Sequence, residues 1–238
     1  MLPIRDINPR RGPAPVTWAL TILTLAVFIV QLGVLGRGPA FAVMRGGAFV
    51  PGAFFADPAG TWPTLITAAF LHVDVLHLVG NLFFLAVFGD NVEDRLGHGR
   101  FLVFYLLAAA ASTLTHGVLA SDPRIPMVGA SGAISAVLGA YVLWYPRRRI
   151  AAFVIPLFLP WLLIRLLLRV PRFYLWWLPA WLYIGYWALI QVVEAGGTIG
   201  MEAVGVGGVA WWAHVGGFVF GLVVAPLLAP ERRRSRAD

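Results

Sequence analysis

Apolar runs of membrane-crossing length recur along this chain, with clusters of arginine set between them. A helix needs about 20 residues to cross roughly 30 Å of hydrocarbon. Val16–Leu35, Pro63–Gly89, Phe101–Ala120, Trp177–Val193 and Val206–Leu228 are such runs, and Gly129–Tyr145 is a shorter one. Ile150–Val170 would be a seventh by hydropathy alone. Only 12% of the 238 residues are charged and 60% are hydrophobic, against about 25% charged in a soluble domain. The fold class expected is therefore an all-α polytopic membrane protein.

Charge decides how many runs cross. Arg5, Arg10 and Arg11 precede the first run, and Arg95 and Arg100 separate the second from the third. Arg147, Arg148 and Arg149 follow the fourth, and Arg232, Arg233, Arg234 and Arg236 close the chain. Six crossings put all four clusters on the cytoplasmic side, as the positive-inside rule asks. Seven would export the last cluster. The 150–170 stretch also carries Pro156, Pro160, Arg165 and Arg169, so within 146–172 it reads as re-entrant or interfacial. Residues 36–62, interrupted by Gly38-Pro39, Pro51-Gly52 and Asp57-Pro58, read as an interfacial first outer loop. The organisation is a cytoplasmic lead-in over 1–15 without a small-residue cleavage site, a six-helix domain over 16–229, and a basic cytoplasmic tail over 230–238.

Composition excludes several chemistries. There is no cysteine, hence no disulfide, thiolate nucleophile or thiolate metal site. The net charge of +7 sits beside apolar runs as a topology signal, so no nucleic-acid partner is expected. All 18 basic residues are arginine, a usage that points to a GC-rich bacterial genome and an inner (plasma) membrane. Metal hydrolysis lacks its usual helix of two histidines and a glutamate, and no metal or cofactor is expected. None of the 11 acids lies mid-span, which excludes an intramembrane aspartate pair.

A hydroxyl and an imidazole at membrane depth remain. Six crossings place Ser131 at the outer end of the fourth run. His214 falls about two turns into the sixth, roughly 10 Å below its start at 1.5 Å per residue. Ser131, Ser135 and Gly139 share one face of the fourth helix, and Ala213, Gly217 and Gly221 share one face of the sixth. Small residues at this spacing let membrane helices approach closely, and His214 lies on the same face as Gly217 and Gly221. If the faces meet, imidazole can take the serine proton as the oxygen attacks a carbonyl. The alternative is that the stripes are packing glue and His214 bonds a backbone carbonyl. His77 and Asn81, four apart on the second helix, are candidate donors to a tetrahedral oxyanion or a polar pair joining helices. His72 reads as structural, Asp74 as a helix-start acid, and His98 and His116 as non-catalytic without evident partners. No third triad member is visible, which leaves a Ser–His dyad.

These residues carry a resemblance. His72-Val-Asp-Val-Leu-His77-Leu-Val-Gly-Asn81, Gly89-Asp-Asn-Val-Glu93-Asp-Arg95-Leu-Gly97, Gly129-Ala-Ser131-Gly132 and Ala213-His214-Val-Gly-Gly217-Phe-Val-Phe-Gly221 together resemble the rhomboid family of intramembrane serine proteases. The resemblance covers roughly Trp62 to Pro230. It implies Ser131 as nucleophile and His214 as general base. It also implies an oxyanion site at His77, Asn81 and the Gly129–Ser131 turn with its Ser131 N–H, and Glu93 and Arg95 as a structural pair. The fifth helix and residues 194–205 would form a lateral gate and lid. Ser135 stands where many relatives carry an aromatic residue that stacks on the imidazole, leaving Trp211 or Trp212 to hold the ring. Trp62 is followed by Pro63 in place of the family's arginine. The implied partners are transmembrane protein substrates and the lipid bilayer, and a monomer suffices for the dyad. Two rivals belong to other classes: a catalytically silent rhomboid-like escort of membrane proteins, whose usual mark is loss of Ser131 or His214, and a transporter, for which no inverted repeat is present.

Overall fold

Backbone N–H groups in the first turn of a helix have no intrahelical partner. At the start of α1 (Pro15–Leu35) a carboxylate from 77 residues away meets them. Glu93 Oε1 accepts from Val16 N at 3.0 Å, and Oε2 accepts from Thr17 N and Thr17 Oγ1, both at 2.7 Å. Pro15, which has no N–H to satisfy, takes the opening position. The computed structural model describes residues 2–8, 12–35, 46–153, 163–164, 166–169, 175–197 and 210–230.

α1 is polar on its inner face. Thr17, Leu20, Thr24, Phe28 and Gln31 are buried, while Trp18, Ile22, Leu25, Ile29 and Leu32 are exposed. That is the arrangement for a helix whose outer surroundings are lipid, where hydrogen bonding and close packing hold helices together. Gln31 shows how: its Nε2 donates to the carbonyl of His72 at 2.6 Å, and its Oε1 accepts from His72 N at 3.2 Å.

Short helical turns fill Pro51–Ala56, Pro58–Thr61, Thr64–Thr67 and Ala68–Phe70. The expected second crossing from Pro63 is therefore broken: Leu71 is extended, and α2 runs from Val75 to Leu96. Asp74 caps α2 by accepting from His77 N at 2.7 Å, as a helix-start acid should. Gly97, at φ 83, turns the chain directly into α3 (His98–Leu119). Only glycine enters that backbone region without strain, so α2 and α3 form a tight hairpin.

α4 (Ser131–Trp144) is the hub, with Gly132 to Tyr141 buried without interruption. It packs most extensively on α6 (Trp211–Leu228), and also on α2 and α3. Glycine permits the α4–α6 contact. A methyl at Gly217 would strike the Gly132 carbonyl, one at Gly221 would strike the Ala136 carbonyl, and one at Gly139 would sit 2.5 Å from the Phe218 carbonyl oxygen. The two stripes of small residues therefore face each other. α5 (Ala180–Gly197) lies against α6.

The all-helical expectation needs correction. β1 (Leu2–Asp6), β2 (Arg149–Phe153) and β3 (Leu175–Pro179) form an antiparallel sheet in the order β1-β2-β3. Residues expected as lead-in, as the start of a re-entrant segment and as the start of the fifth crossing thus pair with one another. Trp177 is in a strand, and α5 begins at Ala180. Ile150, Ala151 and Ala152 are fully buried, and the small alanines let the sheet lie close on the bundle. Asp6 ties it there, accepting from Tyr141 Oη at 2.6 Å and from Asn91 Nδ2 at 2.9 Å.

By length and composition, α1 over Pro15–Gly33, α2, α3 and α6 can each cross a membrane; α4 is a shorter apolar helix. Of the expected lid (194–205), residues 194–197 end α5; residues 198–205, most of the 150–170 stretch and the arginine tail lie outside the described residues.

Candidate active site

Ser131 is the first residue of α4, following Ala130 and Gly129. Gly129 has φ 122, and its N–H donates to the Ala68 carbonyl at 2.8 Å. The preceding stretch is fixed as well, since Met127 and Phe49 exchange backbone hydrogen bonds of 2.7 and 3.1 Å. The serine thus sits on a rigid turn rather than a loose loop. Its position also places the helix's unpaired N–H groups and positive dipole end beside its hydroxyl.

His214 lies in the first turn of α6, which begins at Trp211. The sequence expectation put it two turns down; residues 206–209 lie outside the described residues. Its Nε2 is 2.7 Å from Ser131 Oγ, a direct hydrogen bond. Close α4–α6 packing makes this contact possible, because a serine side chain is too short to bridge helices at ordinary separation.

His77 and Asn81 converge on Gly129. A methyl there would lie 2.6 Å from His77 Cε1, 2.8 Å from His77 Nε2 and 3.8 Å from Asn81 Nδ2. Gly129 is therefore required twice, by its backbone angle and by the imidazole seated over it. Asn81 Nδ2 is 2.9 Å from His72 Nε2. With the amide donating, one of its two hydrogens is used and the other remains for a ligand. His72 is fully buried, held by Gln31, and packs edge-on to His77 with centroids 5.0 Å apart. It sets the Asn81 amide.

Other expected residues take structural places. His98 has a partner after all, with Nδ1 2.6 Å from Glu93 Oε1. The Arg95 guanidinium lies 5.6 Å over the Trp144 ring. Ser135 donates to the Ser131 carbonyl at 2.6 Å and so does not take over an aromatic's stacking on the imidazole. Trp211 meets His214 edge-on at 6.0 Å, in the place expected of Trp211 or Trp212. Trp187 of α5 was not anticipated: its ring is 5.9 Å from the imidazole at 40°. Nor was Gln191, whose Oε1 is 2.5 Å from His214 Nδ1. The chain has two glutamines, Gln31 and Gln191, both in apolar helices and both turned to a histidine. An amide in such a helix is a signal in itself; a search for an orienting group restricted to acids passes over it.

Apolar helices with a polar site enclosed among them define a multi-pass integral membrane protein. A family model described as Rhomboid domain matches residues 59–231, well over half of the chain. RHOMBOID-like protein 12, mitochondrial, of Arabidopsis thaliana is 35% identical over 105 residues, 37% of this chain and 31% of that protein. Rhomboid protease GluP of Bacillus subtilis (strain 168) is 40% identical over 81 residues, 34% of this chain and 15% of that protein. Rhomboid protease GlpG of Klebsiella pneumoniae is 29% identical over 132 residues, 55% of this chain and 44% of that protein. The matched stretches span less than half of each relative's length. The chain belongs to the rhomboid family.

Proposed function

We propose that this protein is an intramembrane serine endopeptidase that hydrolyses peptide bonds in or beside the transmembrane segments of other membrane proteins. The observation that carries the reading is the 2.7 Å contact between Ser131 Oγ and His214 Nε2. Two relatives are named rhomboid proteases, and both members of the dyad are present here. The silent-escort reading lacks its usual mark.

The geometry supports the following reaction. Ser131 Oγ attacks the scissile carbonyl while His214 Nε2 takes its proton. Charge develops on the carbonyl oxygen beside the start of α4, where the Ser131 N–H, the Asn81 amide and the His77 ring are the donors. His214 then gives the proton to the leaving amine, which departs and leaves an acyl-serine. Water, deprotonated by the same imidazole, releases the acid and restores Ser131. No cofactor enters these steps, and one chain supplies every group.

The membrane disposition belongs to the same proposal: six crossings, both termini cytoplasmic, in a bacterial inner membrane. At 1.5 Å per residue, the 14 residues of α4 extend about 21 Å, short of roughly 30 Å of hydrocarbon. Begun near the arginines at 147–149, α4 ends below the opposite surface and sets Ser131 inside the membrane. A helical substrate must unwind to present a carbonyl there, so Gly or Ala near the cut favours cleavage.

The test is incubation of the purified protein in liposomes with a panel of transmembrane substrates, wild type beside Ser131→Ala. Cleavage by wild type alone, with fluorophosphonate labelling at Ser131, is expected. Binding without cleavage by both proteins would instead support the escort reading. A reporter after Asp238 that is exported, rather than cytoplasmic, would break the six-crossing arrangement.

A further inference from the structure

Gln191 is the one polar side chain of α5 that hydrogen-bonds the proposed base. It lies on the buried side of the helix, and both Gln191 and His214 are more than 90% buried. Its amide has a defined direction: Nε2 donates to the Trp187 carbonyl at 3.2 Å, which turns Oε1 toward the imidazole. An amide oxygen accepts and cannot donate, so the 2.5 Å contact requires a hydrogen on His214 Nδ1. In neutral imidazole that leaves Nε2 with a lone pair, and Nε2 is the atom against Ser131 Oγ. The opposite tautomer would set a lone pair against the amide oxygen, losing that bond, and an N–H against Ser131 Oγ, leaving no lone pair to accept the serine proton.

We propose that Gln191 is a positioning residue that completes a Ser131–His214–Gln191 triad by fixing the imidazole in its Nδ1–H tautomer. The inference rests on the protease reading above. Asp or Glu serves this purpose in soluble serine hydrolases; a neutral amide serves it here without placing a full charge inside an apolar bundle. When Nε2 takes the serine proton, Nδ1 keeps its hydrogen bonded to Oε1, so the ring does not turn away during the reaction. Trp187, one turn before Gln191, packs beside the same ring. With Ser135 in place of a stacking aromatic, both the acceptor and much of the ring's wall come from α5. The base is therefore assembled from two helices: α6 carries the imidazole and α5 sets it.

The experiment uses the full chain in detergent micelles with four proteins: wild type, Ser131→Ala, Gln191→Leu and Gln191→Glu. Leucine keeps the volume and removes the acceptor; glutamate keeps an acceptor. Gln191→Leu should lower kcat on a transmembrane substrate about 10- to 100-fold with KM within about twofold, less than the ~10⁴-fold loss when a triad's carboxylate is replaced. Fluorophosphonate labelling of Ser131 should slow in parallel, and Gln191→Glu should recover most of both rates. In ¹⁵N spectra of histidine-labelled protein, the His214 signals should change from the Nδ1–H pattern in wild type to a mixed or Nε2–H pattern in Gln191→Leu. Unchanged kcat and tautomer in Gln191→Leu would overturn the proposal. So would equal losses in both Gln191 variants with a matching drop in Tm, which is helix packing. Wild-type turnover no higher than that of Ser131→Ala would instead sink the protease reading, and the tautomer spectra would still decide the role of Gln191.

Discussion

The bundle encloses a polar network at each end, and the two differ in whether they are full. At one end Glu93, completely buried, accepts four hydrogen bonds: two from α1 backbone N–H groups, one from Thr17 Oγ1 and one from His98. Asp6 beside it joins β1 to α2 and α4 through Asn91 and Tyr141. At the other end there are two hydrogen-bonded groups, Ser131–His214–Gln191 and Asn81–His72–Gln31, and capacity is left over. Asn81 keeps a hydrogen, and the first N–H groups of α4 have no carbonyl within the helix. A full network holds helices together. One with spare donors gathered around a nucleophile is prepared for a charge that is not yet there.

The sharpest way to break this contrast is to remove one member from each end. Ser131→Ala should cost at least ~10³-fold in cleavage, since the residues of a catalytic unit fail together. Its Tm should stay within a few degrees, because alanine still fits against α6. Glu93→Ala should do the opposite, destabilising the protein by about 3–5 kcal/mol through N–H groups and a hydroxyl left unpaired inside the bundle. Thermal unfolding in detergent beside a cleavage assay reads both. A Ser131→Ala protein that unfolds early, or a Glu93→Ala protein of native stability, would erase the distinction.

Asn81→Ala tests the donors. Removal of one oxyanion donor costs about 10²–10³-fold in turnover, with folding kept. Full turnover with a lowered Tm would move Asn81 into the structural network with His72. Gly221→Ala comes next: its methyl meets the Ala136 carbonyl, and overpacking of this kind costs about 1–3 kcal/mol. Because the same contact sets the distance from Ser131 to His214, cleavage should fall alongside stability. A Gly221→Ala protein with wild-type Tm and rate would show that the α4–α6 spacing has slack.

What was legible in the sequence was local or periodic. Ser131 and His214 could be paired because residues at i, i+4 and i+7 share a helix face and the small residues there announce close approach. Asp74 could be read as a cap because an acid preceding a helix has a direct electrostatic reason to be there. The sheet was hidden, since each strand is five residues long and gains its meaning from a partner up to about 150 positions away. Glu93 as the cap of α1 was hidden for the same reason. Gln191 was hidden differently: its helix was marked as apolar, but which neutral side chain meets an imidazole depends on how α5 docks on α6.

The smallest effect sharpens the full end of the comparison. Asp6 is partly buried, and burial pushes its carboxyl from 3.8 up to about 6, with the Tyr141 hydrogen bond opposing and the nearby Asp90 carboxylate adding to the rise. When β1 is undocked, Asp6 ionises near its ordinary value of 3.8; docked, it holds its proton until about pH 6. The docked state thus binds more protons between these values, and its stability falls as pH rises through that window. Below it both states are protonated and docking is strongest; above it both are ionised and the dependence ends. Asp6→Asn keeps an oxygen for Tyr141 and has no proton to lose, so its Tm should lack this component. Since β1 is an edge strand with one partner, the difference between the two Tm–pH curves should be only a few degrees. Parallel curves for wild type and Asp6→Asn from pH 4 to 6 would mean that Asp6 is solvated and that the network at this end closes on Glu93 alone.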